Sequence, residues 1–218
     1  MIKIRIFETG GKLESVTEDL LRNTLATPGT LMLSGGSTPY VIYNRLALSP
    51  CPVHPERRLF LSDERMQPLD SDQNNAHNLM PMLKALGCED RFIRVDTTLP
   101  IAAAAGKFET DLQPLENIDL GFLGMGADGH TAGFFTPGQA SIKTGALTLY
   151  TDRPDGMQGV SVTPALLKRV ERIILLVTGE SKRAIINTLL TAPQTIAAGI
   201  ALADHPNVEL WTDVQITL

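Results

Sequence analysis

The order of apolar segments constrains the fold of this 218-residue chain more than any other feature. Short apolar runs typical of strands alternate with longer stretches that have the spacing of amphipathic helices. Such alternation is typical of an α/β fold, with a largely parallel sheet and connecting helices on both of its faces. The run Ile173–Val177 is apolar at every position, as expected for a central strand covered on both sides.

The pattern predicts strands at the short apolar runs, namely Ile2–Phe7, Thr30–Leu33, Arg58–Leu61, Phe92–Val95, Ile118–Leu123, Ile173–Val177 and Val208–Thr212. It predicts helices near Lys12–Ala26, Pro39–Leu48, Asn75–Leu86, Ile101–Leu112, Pro164–Val170, Lys182–Leu190 and Thr195–Leu202. Residues 136–163 are rich in Gly, Thr and Pro, and we expect loops or a small excursion from the sheet there. No repeat or linker divides the sequence, so we predict a single domain over residues 1–218.

Composition limits the partners of the chain. A hydrophobic content of 43% and a charged content of 20% are typical of a globular protein with a full core. The net charge of −5 disfavours nucleic acid and anionic membranes as partners. No apolar run approaches the ~18 residues of a membrane span, and the alternating segment Met1–Phe7 lacks the apolar core of a signal peptide. We therefore expect a cytoplasmic protein. Whether it is a monomer or a small homo-oligomer is left open.

Four polar loops follow directly after four of the predicted strands. They are residues 34–38, 62–65, 124–130 and 178–182. In open parallel sheets, ligands bind in the crevice outside the carboxyl ends of the strands. We therefore expect these four loops to share one pocket.

The first of these loops has the composition of an anion cradle. Thr38 is predicted to be the N-cap of a helix, with Pro39 at its first position. Free N–H groups at that helix start, together with Gly35, Gly36 and the Ser37 hydroxyl, are suited to a phosphate. The alternative is a tight turn with an ordinary cap.

The second and fourth loops add charged candidates. Arg65 would pair with a phosphate or carboxylate while an acid such as Asp63 orients substrate hydroxyls. Lys182 is predicted in the first turn of a helix, where the helix dipole disfavours a cation, so an anionic ligand would explain it. The alternatives are a solvated loop and an ordinary surface lysine.

The third loop carries the predicted catalytic group. Gly124 and Gly126 allow close approach of the backbone to a ligand, and Asp128 precedes His130, a side chain that titrates near neutral pH. The same letters match a dinucleotide fingerprint, but that motif needs a long helix after it, and Gly and Pro residues interrupt positions 133–138. The remaining alternative is a loop histidine without chemistry.

The other histidines and the cysteines give no further site. His54, His77 and His205 have no comparable surroundings, and we expect them at the surface. Cys51 and Cys88 are far apart and lack a CxxC spacing. With no cluster at metal-ligand spacing, we expect no metal site and no disulfide framework.

The four loops, in this order, resemble the signature of the 6-phosphogluconolactonase family, within a superfamily shared with glucosamine-6-phosphate deaminases. The resemblance runs from about residue 12 to about residue 190. It implies a Rossmann-like α/β fold of the sugar-phosphate isomerase and CoA-transferase type. It also implies cofactor-independent hydrolysis of 6-phosphogluconolactone in the pentose phosphate pathway, with His130 and Asp128 as catalytic residues and a small sugar phosphate as partner.

The sequence departs from the family pattern in two places. The family usually continues after the histidine as TASLFPG, whereas residues 131–138 read TAGFFTPG. The arginine usual in a later segment is replaced by Gln158 or Gly159, and Arg153 is the candidate to compensate for it. The rival activities are an amino-sugar-phosphate isomerase, which usually has a glutamate shortly after the histidine, and a non-catalytic sugar-phosphate sensor.

Overall fold

The computed structural model describes residues 2–216, which contain strands β1 (Lys3–Ile6), β2 (Gly29–Leu33), β3 (Arg57–Leu61), β4 (Asp63–Arg65), β5 (Phe92–Ile93), β6 (Ile118–Gly124), β7 (Thr148–Asp152), β8 (Gln158–Val162), β9 (Ile173–Val177) and β10 (Val208–Thr212). The same residues contain α-helices α1 (Gly10–Leu25), α2 (Ser37–Leu48), α3 (Asn75–Leu86), α4 (Ile101–Leu112), α5 (Pro137–Ala140), α6 (Pro164–Leu167), α7 (Arg183–Thr191) and α8 (Ala197–Leu202). Short 3₁₀ turns lie at Glu89–Arg91, Glu180–Lys182 and Pro193–Thr195.

The main sheet has seven parallel strands in the order β1-β10-β9-β6-β2-β3-β5. From β2 the chain adds strands outward through β3 to β5, and from β6 it adds them in the opposite direction. The order therefore reverses between β2 and β6. In doubly wound sheets the loops diverge at this reversal and leave a crevice for a ligand.

Both faces of the sheet are buried, which confirms the predicted α/β class. Along β9, Ile173 and Leu175 pack into one apolar cluster, and Ile174 and Leu176 into the other. Side chains of α4, α7 and α8 complete the first cluster, and those of α1, α2 and α3 complete the second. The alternation follows from the two-residue period of a strand. All seven predicted strands are present, although β5 is only two residues long.

A second, antiparallel sheet of three strands has the order β4-β8-β7. Of the two expectations for residues 136–163, loops or a small excursion from the sheet, the structure shows the excursion, because β7 and β8 lie in this second sheet. β7 and β8 form a hairpin whose Val160 and Val162 are fully buried, and the hairpin packs against α4. β4 adds to it, with Arg65 opposite Gly159. This sheet positions Arg65 and the hairpin turn at residues 153–157.

The start of α2 differs from its prediction. The helix begins at Ser37, and its N-cap is Gly36, whose φ of 122° is open to glycine but disfavoured for other residues. Thr38 is therefore not the N-cap but lies within the first turn. Its Oγ1 atom is 2.7 Å from Oγ1 of Thr178, so it joins the loop after β2 to the loop after β9.

His205 is buried rather than exposed, which corrects its assignment to the surface. Its Nε2 atom lies 2.6 Å from the carbonyl oxygen of Val170, and its Nδ1 accepts the N–H of Asn207 at 3.1 Å. Both ring nitrogens are thus satisfied by the backbone, as buried polar groups require. His54 and His77 are half-buried. None of the helices between residues 2 and 216 is long and apolar enough to cross a bilayer.

Candidate active site

A cleft of about 230 Å³ lies at the carboxyl ends of the central parallel strands. The four polar loops meet there, as the strand-end rule predicts. The predicted site residues that line it are Gly35, Gly36, Ser37, Thr38, Asp63, Arg65, Gly124, Gly126, His130, Arg153 and Lys182. Asp128 is the one predicted residue outside the lining, and it contacts the cleft through His130.

His130 and Asp128 form a hydrogen-bonded pair on the loop after β6. Nδ1 of His130 lies 2.6 Å from Oδ1 of Asp128, which also accepts the backbone N–H of His130 at 3.2 Å. Burial raises the pKa of Asp128, but the hydrogen bonds and charge of His130 outweigh burial and leave this pKa below its ordinary value. An ionised carboxylate can only accept hydrogen bonds, so Nδ1 of His130 carries the proton. In the neutral ring, Nε2 is therefore the basic nitrogen.

The loop around this pair is too tight for side chains at its glycines. A Cβ atom added at Gly126 would overlap both the imidazole of His130 and the carboxylate of Asp128. Gly129 has a φ of 83°, and a Cβ there would lie 2.7 Å from Cβ of Ile196. Gly126 therefore allows the close packing of His130 and Asp128, and Gly129 allows the close approach of Ile196. The α5 helix that follows has only four residues, so the long helix of a dinucleotide site is missing from this segment.

Lys182 reaches across the cleft to the loop after β6. Its Nζ donates to the carbonyl oxygen of Met125 at 2.8 Å. It lies at the end of the Glu180–Lys182 turn, immediately before α7, close to the predicted helix start. An ammonium group has three N–H donors, so two more can serve a ligand in the cleft.

Arg65 and Asp63 enter the cleft from β4. Among residues 2–216, Nε of Arg65 is buried without a hydrogen-bond partner, and Nη1 donates to the carbonyl oxygen of Gln73 at 3.2 Å. A guanidinium with unused donors is well suited to an anionic or oxyanionic group. Asp63 accepts the Ser62 hydroxyl at 2.7 Å. The other carboxylate oxygen remains available to a ligand hydroxyl.

Glu64 is buried between these two residues and anchors the start of α3. Its carboxylate accepts the backbone N–H groups of Asn75 at 2.6 Å, Ala76 at 2.8 Å and Arg65 at 2.8 Å. Burial raises the pKa of Glu64 to about 7, although the three N–H donors act in the opposite direction. Glu64 thus ties the backbone of Arg65 to the start of α3.

Asn75 is a cleft residue that sequence reasoning missed. Its Nδ2 donates to the carbonyl oxygen of Asp63 at 2.9 Å, and its Oδ1 accepts the Tyr40 hydroxyl at 2.7 Å. Burial raises the pKa of Tyr40 to about 12, so this hydroxyl stays protonated. A Cβ at Gly35 would overlap the Asn75 amide and lie 2.8 Å from the Tyr40 hydroxyl. Gly35 is therefore required for the approach of Asn75.

Arg153 reaches the cleft from the turn of the β7–β8 hairpin. Its guanidinium forms an ion pair with Asp155, with Nη2 2.9 Å from Oδ2, and its Cζ lies 4.7 Å from the centre of the Phe135 ring. The hydrogen bonds from Arg153 hold the pKa of Asp155 below its ordinary value. The structure thus brings Arg153 to the same cleft as Arg65 and Lys182.

Within residues 2–216, no three His, Cys, Asp or Glu side chains lie close enough together to hold a metal ion. The cleft instead offers hydroxyls, backbone amides and three cationic side chains around one histidine. The fold and this cleft define an α/β protein whose polar, partly cationic site lies where the strand order reverses.

Comparison with known proteins agrees with this class. The family model for glucosamine-6-phosphate isomerases/6-phosphogluconolactonase matches residues 10–211, so the chain belongs to that family. A 6-phosphogluconolactonase from Thermotoga maritima is 36% identical over 161 residues, which cover 70% of this chain and 70% of that protein. One from Haemophilus influenzae is 30% identical over 185 residues, covering 81% of this chain and 79% of that protein.

Solved structures show the same fold. The structure of 6-phosphogluconolactonase from Thermotoga maritima superposes with a TM-score of 0.83 at 26% identity, covering 97% of this chain and 99% of that chain. A monomeric glucosamine-6-phosphate deaminase superposes with a TM-score of 0.82 at 19% identity, covering 97% of both chains. At 19% identity, the similarity to the deaminase concerns the fold alone. The predicted Rossmann-like architecture is confirmed.

Proposed function

We propose that this protein hydrolyses 6-phospho-D-glucono-1,5-lactone to 6-phosphogluconate, with His130 as the general base. The observation that carries the proposal is the His130–Asp128 pair, which opens onto a cleft with Arg65, Arg153 and Lys182 around it. Relatives that carry the name 6-phosphogluconolactonase are similar over about 70% to 81% of the chain. The proposed reaction would serve the pentose phosphate pathway.

In the proposed mechanism, Nε2 of His130 takes a proton from a water molecule as the water oxygen attacks the lactone carbonyl. The imidazolium is stabilised by Asp128, whose low pKa keeps it ionised. Collapse of the tetrahedral intermediate breaks the bond to the ring oxygen, which receives the proton back from His130. One histidine therefore completes the reaction, and general acid–base assistance of this kind contributes typically ~10²–10⁴-fold.

The oxyanion of the intermediate needs a donor or a positive charge. The N–H of Gly126 donates to the carbonyl oxygen of His130 at 2.9 Å, and the N–H of Gly129 donates to that of Gly126 at 3.0 Å. Those two groups are engaged within the loop. Arg65, which has unused donors in the cleft, is the better candidate to stabilise the oxyanion.

The phosphate would lie between the start of α2 and the cationic side chains. Gly36 makes no side-chain cap at that helix start, so the first backbone N–H groups and the hydroxyls of Ser37 and Thr38 can face an anion. Lys182 and Arg153 supply the positive charge opposite them. Asp63 and Asn75, which line the same cleft, would bind the sugar hydroxyls.

The rival activities have less support. An amino-sugar-phosphate isomerase must move a proton between adjacent carbons, which generally needs a second acid or base. Residues 133–138 contain no titratable side chain, and Phe135 occupies the position beside His130. A non-catalytic sensor would need no histidine held in one tautomer by a carboxylate.

The direct test of the proposed base is His130→Asn. We expect turnover of the phosphorylated lactone to fall by about 10²–10⁴-fold, with an unchanged thermal melting temperature. The rate of lactone opening is measured with the spontaneous rate subtracted. A folded His130→Asn protein that retains the wild-type turnover would remove His130 from the mechanism. His54→Asn, outside the cleft, is the matched control and should behave as wild type.

Independence of cofactors and metals, a cytoplasmic location, and a single domain over residues 1–218 stay predictions. So does the expectation that the chain has no nucleic-acid partner. The oligomeric state is open between a monomer and a small homo-oligomer. A chelator, added to the lactone assay, tests metal independence directly.

A further inference from the structure

Phe135 contacts two residues that line the cleft, His130 and Arg153, although its own ring is not part of the lining. Its ring centre is 4.9 Å from that of the His130 imidazole, with the two planes inclined by 40°. Cζ of Arg153 is 4.7 Å from the same ring centre. A single aromatic ring therefore contacts both the proposed base and a proposed phosphate ligand. Phe134, the preceding residue, is instead fully buried in the core.

Arg153 is also restrained from the hairpin side. Its Nε and Nη2 atoms donate to the Asp155 carboxylate, and its side chain is 11% exposed. A Cβ added at Gly159 would lie 3.5 Å from Cδ of Arg153, so the aliphatic part of the side chain runs over that glycine. These contacts fix one edge of the guanidinium. The Phe135 ring fixes its plane, because a cation is attracted to the face of an aromatic ring.

His130 has a similar pair of restraints. The bond to Asp128 fixes Nδ1 but allows the imidazole to pivot around that contact. The inclined ring of Phe135 limits the pivot and directs Nε2. Small errors in the position of a general base reduce turnover strongly, because the reacting atoms must meet within a narrow range of distances.

We propose that Phe135 is a positioning residue that holds the His130 imidazole and the Arg153 guanidinium in one fixed arrangement. The proposal rests on the proposed function. It assigns a role to a residue of the segment 131–138 that follows His130. The ring itself takes no part in proton transfer. It keeps the base and the cation in fixed positions relative to each other.

The kinetic test compares Phe135→Leu with Phe135→Tyr. Leucine keeps an apolar side chain but has no ring, so we expect kcat to fall about tenfold and KM to rise about tenfold. Tyrosine keeps the ring and should restore both constants to within about threefold of wild type. Tyr150→Leu removes an exposed aromatic residue of β7 outside the cleft, and should behave as wild type.

A second measurement does not depend on turnover. Because the two ring centres are 4.9 Å apart, we expect the ring current of Phe135 to shift the proton NMR signal of His130 Cε1–H in the wild type. Phe135→Leu should remove that shift, and Phe135→Tyr should retain it. Inorganic phosphate should bind about tenfold more weakly to Phe135→Leu. In a double-mutant cycle on phosphate affinity, Phe135→Leu should add little to the loss in Arg153→Ala, since the ring acts on the phosphate only through that guanidinium.

The outcomes separate the two proposals. A wild-type protein without lactone hydrolysis overturns the proposed function, and the NMR and phosphate measurements then decide the role of Phe135. Equal losses in Phe135→Leu and Phe135→Tyr, or a Phe135→Leu protein with wild-type phosphate affinity and an unmoved His130 signal, overturn the positioning role. Restoration by tyrosine together with a non-additive cycle supports it.

Discussion

Oδ1 of Asp128 lies 2.6 Å from Nδ1 of His130, and these two residues are separated by a single glycine. The pairing fixes the tautomer of the ring and leaves Nε2 as the basic nitrogen. A carboxylate at this distance also stabilises the imidazolium that forms during proton transfer. The proposed role of Asp128, which the sequence suggested from proximity alone, rests on this contact.

Asp128→Asn tests that role. The amide of an asparagine at position 128 can donate a hydrogen bond to Nδ1 of His130. This favours the imidazole tautomer that carries its proton on Nε2, and a protonated Nε2 cannot act as a base. We expect kcat for the lactone to fall by about tenfold to a hundredfold, because Asp128 is partly exposed and its charge is screened by solvent. KM should stay within about twofold of wild type, since Asp128 does not line the cleft.

Steady-state kinetics across pH measure the effect of this change. The exposed Asp19→Asn variant, on α1 and outside the cleft, is the control for the loss of a carboxylate. Wild-type kcat in a folded Asp128→Asn protein would contradict the assignment.

Lys182→Ala tests the phosphate site. A charge-assisted contact to an anion contributes ~1.5–3 kcal/mol, so we expect KM for the phosphorylated lactone to rise about tenfold or more. The unphosphorylated lactone should show little change, since it has no group to contact the ammonium. Lys143→Ala, an exposed lysine outside the cleft, is the matched control.

Because Lys182 also donates to the Met125 carbonyl, its loss removes a contact that holds the loop after β6. The comparison of the two lactones distinguishes the two effects. Equal losses on both substrates would mean that Lys182 acts by holding the loop rather than by binding phosphate.

The raised pKa of Glu64 predicts that the stability of the protein depends on pH. Its ordinary pKa of 4.5 rises to about 7 on folding, so between these values the folded protein binds more protons than the unfolded chain. The free energy of unfolding therefore falls as pH rises through this window, by on the order of 3 kcal/mol from this group. Glu64→Gln removes the titration.

Urea unfolding at several pH values measures the prediction. Relative to Glu64→Gln, the wild type should lose stability from about pH 4.5 to about pH 7 and change little above that range. If the free energies of unfolding of the two proteins differ by a constant amount over this pH range, the three N–H donors compensate the burial of the carboxylate.

The sheet and the meeting of the loops could be predicted because both follow from general rules. Apolar runs such as Ile173–Val177 are distinct in the sequence, and parallel strands place their carboxyl ends at one edge. Thr178 lies in a predicted loop and lines the cleft, so the same rule would have included it. Helices α3 and α4 begin and end at the predicted residues.

The antiparallel sheet could not be predicted because its strands carry weak local signals. β4 is the charged triplet Asp63–Arg65, and it becomes a strand only by pairing with β8. Asn75 enters the cleft because the buried Glu64 accepts the N–H groups at the start of α3, a contact between residues eleven positions apart. The contact of Phe135 with Arg153 likewise depends on where the hairpin turn lies. These are tertiary effects, and local propensity does not report them.

The measurement that tests the central claim most directly compares two reactions of the purified protein. We predict hydrolysis of 6-phosphogluconolactone above the spontaneous rate, without added metal or nucleotide and unchanged by a chelator. Ammonia release from glucosamine 6-phosphate should be undetectable, because residues 133–138 supply no second acid or base beside His130. Ammonia release at a rate that rivals lactone hydrolysis would contradict the account and favour the isomerase activity instead.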